Sequence, residues 1–308
     1  MSTIQIENLS MRFGVNEVLS DINFEVNTGE TFGLLGSNGC GKTTLIRNLL
    51  GIYQPTLGNA HINGKRYFPG SDLNIGYLPE ERGLYKKEIV LNTMTYFGQL
   101  KGMSYSMAKK YSINFLDKVD LLDKQKIRLD KLSGGQQQKI QIGIALMNEP
   151  SLLILDEPSK GLDPVNRAIL NELINERKKA GATILLVSHD MNAVERLCDR
   201  ILILKDGKIK NYGTVAQVQE QYGGIYIDVI TNVELANQQN FEVLNSKINP
   251  EGKWSSTLKL QPGIRPEAIS KALFYEGTEI FSFMPHLKSL NEIFLEVYGS
   301  APEESEGL

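Results

Sequence analysis

Gly36-Ser37-Asn38-Gly39-Cys40-Gly41-Lys42-Thr43 fits the pattern G-x-x-x-x-G-K-[ST] at every fixed position. That pattern grips phosphate. Its glycines let the backbone curl around an anion, its successive N–H groups and the helix that follows turn positive dipole ends toward it, and Lys42 adds a point charge. Thr43 offers a hydroxyl to a magnesium ion. A second set of reactive groups lies far along the chain, where the apolar run Leu152-Leu153-Ile154-Leu155 ends in Asp156-Glu157. One carboxylate there can hold magnesium through water, and the other can orient and deprotonate an attacking water. His189 closes another apolar run, Thr183 to Val187, as a polar group able to reach a terminal phosphate. Ser133, in Leu132-Ser133-Gly134-Gly135-Gln136, suits a helix N-cap. Taken alone this is an ordinary cap, although its bare N–H groups also make it a second potential anion site.

The elements that position these groups follow from periodicity. Glu30 to Leu35 reads as a buried strand feeding the phosphate loop, and Thr44 to Leu50 as an amphipathic helix that Gly51 stops. Apolar residues alternate over residues 1 to 35, as expected of antiparallel strands buried on one face. Phe13-Gly14 falls in the loop between the first two strands, where the ring can stack on adenine or pack under the sheet. A turn over residues 51–58 leads to a hairpin through Ile62-Asn63-Gly64-Lys65, and Ile75 to Leu78 is a strand that Pro79 ends. Residues from about 88 to 148 read as a helical subdomain. Val90, Met94, Phe97 and Leu100 form one stripe in it, Met107, Tyr111, Phe115 and Val119 another, and the helix opened by Ser133 runs toward Pro150. The continuous apolar runs at 152–155 and 183–187 mark central parallel strands, with a helix over 164–180 between them. Strands 200–204 and 207–212 meet at an Asp206-Gly207 turn.

Composition sets limits on partners. The 308 residues exceed one ordinary domain, and 41% hydrophobic with 22% charged residues is the balance of a globular chain. A net charge of -3 without a Lys/Arg cluster argues against nucleic acid as a main partner. No apolar run reaches the roughly 18 residues that cross a bilayer, and the first residues lack a basic segment followed by an apolar one. The two cysteines, Cys40 and Cys198, form neither a disulfide framework nor a metal-ligand spacing. Cys40 occupies a variable position of the phosphate loop, where a small side chain suffices and where alkylation would compete with nucleotide. His61 and His286 are read as surface or packing residues.

In this order, the motifs over residues 3 to 220 resemble the ATP-binding cassette family, specifically the nucleotide-binding subunit of an ABC transporter. Gly36 to Thr43 matches its Walker A loop, Leu132 to Gln136 its LSGGQ signature, Leu152 to Glu157 its Walker B strand, Ser159 to Asp163 its D-loop, and His189 its switch histidine. Phe13 falls at the aromatic that stacks on adenine, where tyrosine is commoner. Glu80 falls in the loop that usually carries glutamine. The resemblance implies an α/β P-loop fold with a mixed core sheet, an antiparallel β subdomain and an inserted helical subdomain. It implies ATP and Mg2+ as ligands, a second cassette facing head to tail, and transmembrane permease subunits on separate chains at the cytoplasmic face of the membrane.

Under that resemblance Gly36 to Thr44 hold the nucleotide, while Ser133, Gly134, Gly135 and Gln136 grip the terminal phosphate of the ATP bound by the partner cassette. Thr43, Glu80 and Asp156 serve the metal, Glu157 is the general base, and Lys42 and His189 act on the γ-phosphate. The stretch Gly76 to Tyr85 is similar to that of sodium-efflux and drug-export cassettes, which carry an extra carboxyl-terminal domain. Accordingly 1–221 is expected as the ATP-binding domain, 222–300 as a small α+β domain, and 301–308 as an acidic disordered tail. A soluble cassette ATPase acting on ribosomes or DNA is the rival. The chain has neither the charged linker between fused cassettes nor the long coiled coil that mark those proteins.

Overall fold

The computed structural model describes residues 2–68, 73–81 and 83–299, so the tail expected over 301–308 lies outside the described residues. In chain order the elements are β1 (Ser2–Phe13), β2 (Asn16–Asn27), β3 (Thr31–Leu35), α1 (Lys42–Leu49), β4 (Leu57–Ile62), β5 (Ile75–Leu78), α2 (Val90–Leu100), α3 (Tyr105–Lys118) and α4 (Gly134–Leu146). Then come β6 (Leu152–Asp156), α5 (Pro164–Lys179), β7 (Thr183–Val187), α6 (Met191–Leu197), β8 (Arg200–Lys205), β9 (Lys208–Thr214) and α7 (Val215–Gln221). The last are β10 (Ile225–Thr231), β11 (Phe241–Ile248), β12 (Trp254–Leu260), α8 (Pro266–Tyr275), β13 (Ile280–Leu287) and α9 (Leu290–Tyr298). The chain divides into two compact units, 1–215 and 216–308, so α7 falls almost wholly in the second, where the sequence reading drew its boundary at 221/222.

The first unit holds two sheets. One is antiparallel, in the order β2-β1-β4; the other has six strands in the order β5-β6-β7-β3-β8-β9. Pairing is parallel from β5 through β8, and only β9 runs antiparallel, hairpinned to β8. Every residue of β3, β6 and β7 is buried, which is why these strands read as unbroken apolar runs. The Asp206-Gly207 turn has both residues at positive φ, the geometry of a tight two-residue hairpin turn.

Helices α2, α3 and α4 form the inserted helical region, and here the expected stripes are corrected. Val90 and Met94 are buried, but Leu100 and Met107 are exposed. The reason is a close crossing: a β-carbon on Gly98 of α2 would meet the Ala108 side chain of α3 at 2.6 Å, so the smallest residues face each other and the longer ones turn out. Phe97 joins Tyr85 and Tyr96 in a partly exposed aromatic group.

In the second unit, the antiparallel sheet β11-β12-β10-β13 packs Ile227, Val229, Phe241, Leu258 and Leu260 against Ile269 and Leu273 of α8. α9 begins at a capping box made by Ser289 and Glu292. The expected strands near 225 and 280 and both helices are present. β11 and β12 were not anticipated.

Gly76 in β5 is a position where the backbone tolerates no side chain. A β-carbon there would stand 2.4 Å from the Ala145 carbonyl oxygen and 2.5 Å from Leu153 Cδ2. Gly76→Ala is therefore expected to destabilise the first unit by about 1–3 kcal/mol, the usual cost of overpacking. Chemical denaturation showing an unchanged midpoint would contradict this packing.

Candidate nucleotide and metal site

Strand register brings the scattered motifs to one level. Leu34 of β3 pairs with Val187 of β7, Val187 with Asp156 of β6, and Leu155 with Leu78 of β5. The loops that leave these carboxyl ends therefore start side by side: Gly36 onward, Ser188-His189, Glu157-Pro158 and Pro79-Glu80. This is where open α/β sheets take ligands.

The phosphate loop closes on its own lysine. Lys42 is buried, and its Nζ donates to the carbonyl oxygens of Gly36 at 2.7 Å and Ser37 at 2.9 Å. Gly41, at φ 111°, precedes α1, and a β-carbon there would strike Leu19 Cδ2 at 2.6 Å. The base of the loop is braced by the β8–β9 turn, through the Gly207 N–H to the Cys40 carbonyl at 3.2 Å. Cys40 is itself buried, with Sγ 4.0 Å from Lys42 Nζ.

A cleft of about 240 Å³ lies in front of the loop, lined by Asn38, Gly39, Gly41, Lys42, Thr43, Thr44, Glu80, Asp156 and Glu157. Asp156 Oδ2 is buried in it and has no hydrogen-bond partner among the described residues, and Glu157 Oε2 is buried with the His189 ring nitrogen as its neighbour. Orphaned anionic oxygens at such depth are costly unless a cation meets them. Burial pushes the Asp156 carboxyl up to about 6, the carboxylates of Glu80 and Glu157 add to the shift, and Lys42 and Arg47 oppose it. Among the described residues no group of three or more His, Cys, Asp or Glu is placed to hold a metal. The donors present are a Thr43 hydroxyl and carboxylate oxygens beside a phosphate cradle, which is the mixed set that suits magnesium.

Glu157 sits in the left-handed region at φ 49°, with its N–H donating to the Val187 carbonyl at 2.9 Å. His189 brings Nδ1 to 2.7 Å from Glu157 Oε2, and its ring is mostly exposed. The structure thus joins the histidine to the carboxylate, while His189 is not itself among the residues that line the cleft. Glu80 Oε1 accepts a hydrogen bond from Lys160 Nζ at 2.8 Å, so one carboxylate expected at the metal is engaged elsewhere.

Of the expected set, Gly36, Ser37 and Cys40 build the loop without lining this cleft, and Phe13 and the signature segment stand outside it. Phe13 is the last residue of β1 and not a loop residue; it is half exposed and lies edge-on to Tyr53 at 5.4 Å. Ser133 to Gln136 line no part of the cleft. Ser133 caps α4, accepting from the Gln136 N–H at 3.2 Å, while Gln136 Oε1 accepts from the Ser133 N–H at 2.9 Å. Sequence reasoning missed Gln138. It is buried on α4 and donates to the Pro158 carbonyl at 3.1 Å, tying the signature helix to the segment after Glu157. The sequence carries no signal for it, because Gln138 lies within the polar run Gln136-Gln137-Gln138-Lys139.

A family model described as ABC transporter matches residues 19–160. An ABC transporter ATP-binding protein of Methanocaldococcus jannaschii is 42% identical over 236 residues, covering 77% of this chain and 86% of that protein. The chain belongs to the ATP-binding subunits of ABC transporters. The linearmycin resistance ATP-binding protein of Bacillus subtilis is 35% identical over 308 residues, covering 96% of this ABC subunit and 98% of its own length. The methionine import ATP-binding protein of Lactobacillus johnsonii is 33% identical over 228 residues, 70% of this chain and 65% of its own. A solved ATP-binding subunit of an ABC transporter superposes with TM-score 0.66 at 32% identity, over 72% of this chain and 93% of that structure. The α/β cassette fold inferred from the motifs is the one present, and this ABC subunit is an ATPase that uses ATP with magnesium.

The elevated Asp156 pKa gives a stability test with a defined sign. In metal-free protein the folded state holds this proton up to about pH 6, whereas the unfolded chain releases it near the ordinary value of 3.8. Folding stability from this group therefore falls as pH rises from about 4 to 6 and stays low above. Asp156→Asn, measured in EDTA, is expected to raise unfolding free energy at pH 7 by about 1–3 kcal/mol, with the gain shrinking toward pH 4. A gain equal at both pH values would refute the burial of a charged Asp156.

Proposed function

We propose that this subunit powers an exporter, working as one of two cassettes that face head to tail beneath transmembrane permease subunits on separate chains. The composite dimer is supported by the separation of the two anion-binding segments. Phosphate loop and carboxylates share one cleft, whereas Ser133, Gly134, Gly135 and Gln136 stand outside it. A second copy would bring its signature helix to the cleft of the first. Among the described residues no helix is long and apolar enough to cross a membrane, which suits a subunit that depends on separate chains at the cytoplasmic face of the membrane. Export is favoured because the linearmycin resistance relative matches the chain through its accessory unit, and the import relative matches only 70% of it.

The observation that carries the chemistry is the pair of buried carboxylates facing the phosphate cradle, Asp156 with an oxygen left unpartnered and Glu157 met by His189. Loop N–H groups, Lys42 and Thr44 bind the phosphates, and Phe13 stacks on the adenine. Thr43 and Asp156 would hold magnesium, with Glu80 in reach as a lining residue. Bound magnesium supplies the positive charge that neutralises the phosphates during transfer. Glu157 takes a proton from the attacking water, and His189, with Nδ1 2.7 Å from Oε2, orients that carboxylate and reaches the γ-phosphate. The accessory unit at 216–308 supports the dimer or regulates it, as a shared length with the resistance cassette suggests.

Replacing Glu157 by Gln is expected to lower ATP hydrolysis about 100- to 10,000-fold while keeping nucleotide bound, so that ATP accumulates in a stable dimer. Wild-type turnover in that variant would remove Glu157 from the role of base. Gly134→Asp places a carboxylate where the partner's γ-phosphate is expected. It should leave ATP binding to the monomer intact and abolish nucleotide-driven dimerisation by light scattering; a normal dimer would count against the head-to-tail arrangement. Co-purification with a membrane protein supports the transporter assignment, and pelleting with ribosomes in its place would overturn it.

A further inference from the structure

Glu80 stands between two cavities. It lines the nucleotide cleft with Lys42 and Asp156, and it also lines a larger cavity of about 770 Å³ with Lys86, Asp130, Gln137 and Lys160. Its carboxylate is drawn to the second side, where Lys160 Nζ donates to Oε1 at 2.8 Å. Lys160 occupies a tight turn: its N–H donates to the Glu157 carbonyl at 3.1 Å, and Gly161 follows at φ 74°. A β-carbon on Gly135 would come within 3.3 Å of the Gly161 carbonyl oxygen, so the same turn abuts the start of the signature helix. One ion pair therefore spans from the loop after β5 to the segment that links the proposed base with the signature helix.

We propose that Lys160 is a positioning residue for the metal step: it draws the Glu80 carboxylate toward the neighbouring cavity until a divalent cation enters, and release of Glu80 frees the Lys160 turn. This rests on the reading of Glu80 as a group that serves magnesium. Charge balance supports it. Glu80, Asp156 and Glu157 converge on one small cleft with Lys42 as the cation among its lining residues, and Lys160 neutralises the most exposed of the three from outside. Magnitude supports it as well. Both partners are well exposed, and an exposed pair shifts an equilibrium by no more than about fivefold, so a divalent cation can displace it.

The test is a magnesium titration of trinitrophenyl-ATP binding to the full chain, read by fluorescence without turnover. Lys160→Met is expected to lower the half-saturating Mg2+ about two- to fivefold, and Lys160→Arg to stay within a factor of about 1.5 of wild type. Simple loss of a nearby positive charge would act equally without Glu80, so Lys160→Met is repeated in a Glu80→Gln background, where the effect should vanish. If Glu80→Gln weakens Mg2+ dependence but Lys160→Met has no effect, or the same effect in both backgrounds, the positioning role is overturned and the metal role of Glu80 stands. If Glu80→Gln leaves Mg2+ dependence unchanged, the metal reading of Glu80 fails and this proposal fails with it.

Discussion

Charge held at the buried edge of a parallel sheet is the constraint on which the rest of this molecule depends. Asp156 is almost fully buried at the end of a strand with one oxygen left without a hydrogen bond, and its carboxyl is pushed up to about 6, chiefly by that burial. Such a group persists only where something else compensates it. Here the compensation is divided: Lys42 lies across the cleft, the loop N–H groups present dipoles, and the remaining deficit matches a divalent ion with its phosphates. A cation and its phosphates that bind the folded site therefore stabilise it.

Parallel pairing is what gathers these groups. Chain positions 36, 80, 157 and 189 are separated by as many as 153 residues, yet the register of β3, β5, β6 and β7 ends all four strands at one level. Each crossover returns through helix, so each strand delivers its following loop to the same edge. The antiparallel sheet adds bracing to this edge, since Val18 and Leu19 of β2 press against Gly41 and Gly207. Backbone contacts that close leave no room for side chains, and the loop is held in shape before any nucleotide arrives.

The helical region works on a different principle. Its crossing of α2 over α3 is set by small residues, and α4 is fixed to the site by Gln138 and the Gly135–Gly161 approach. The signature segment is thus tied to the strand-end segment but lines no part of its own cleft. In the second unit the alternation of Ile227, Val229, Leu258 and Leu260 builds an independent core with α8. That core explains a separate unit without assigning it chemistry.

Much of the site was legible in the residues because phosphate binding demands a fixed backbone curl, and only glycine at set intervals supplies it. Buried parallel strands likewise announce themselves as unbroken apolar runs, and a cap such as Ser133 marks its helix start locally. β11 and β12 escaped notice because polar residues such as Glu242, Asn245, Ser255 and Thr257 dilute their pattern, and Leu100 and Met107 were misplaced because a helix stripe cannot reveal how closely its neighbour approaches. Local chemistry, then, determined the phosphate loop, the paired carboxylates, the strand ends and the family. Tertiary structure decided what no spacing encodes: that Glu80 is held by Lys160, that His189 meets Glu157, and that the signature helix stands apart from the cleft, because each depends on which distant segments pack together.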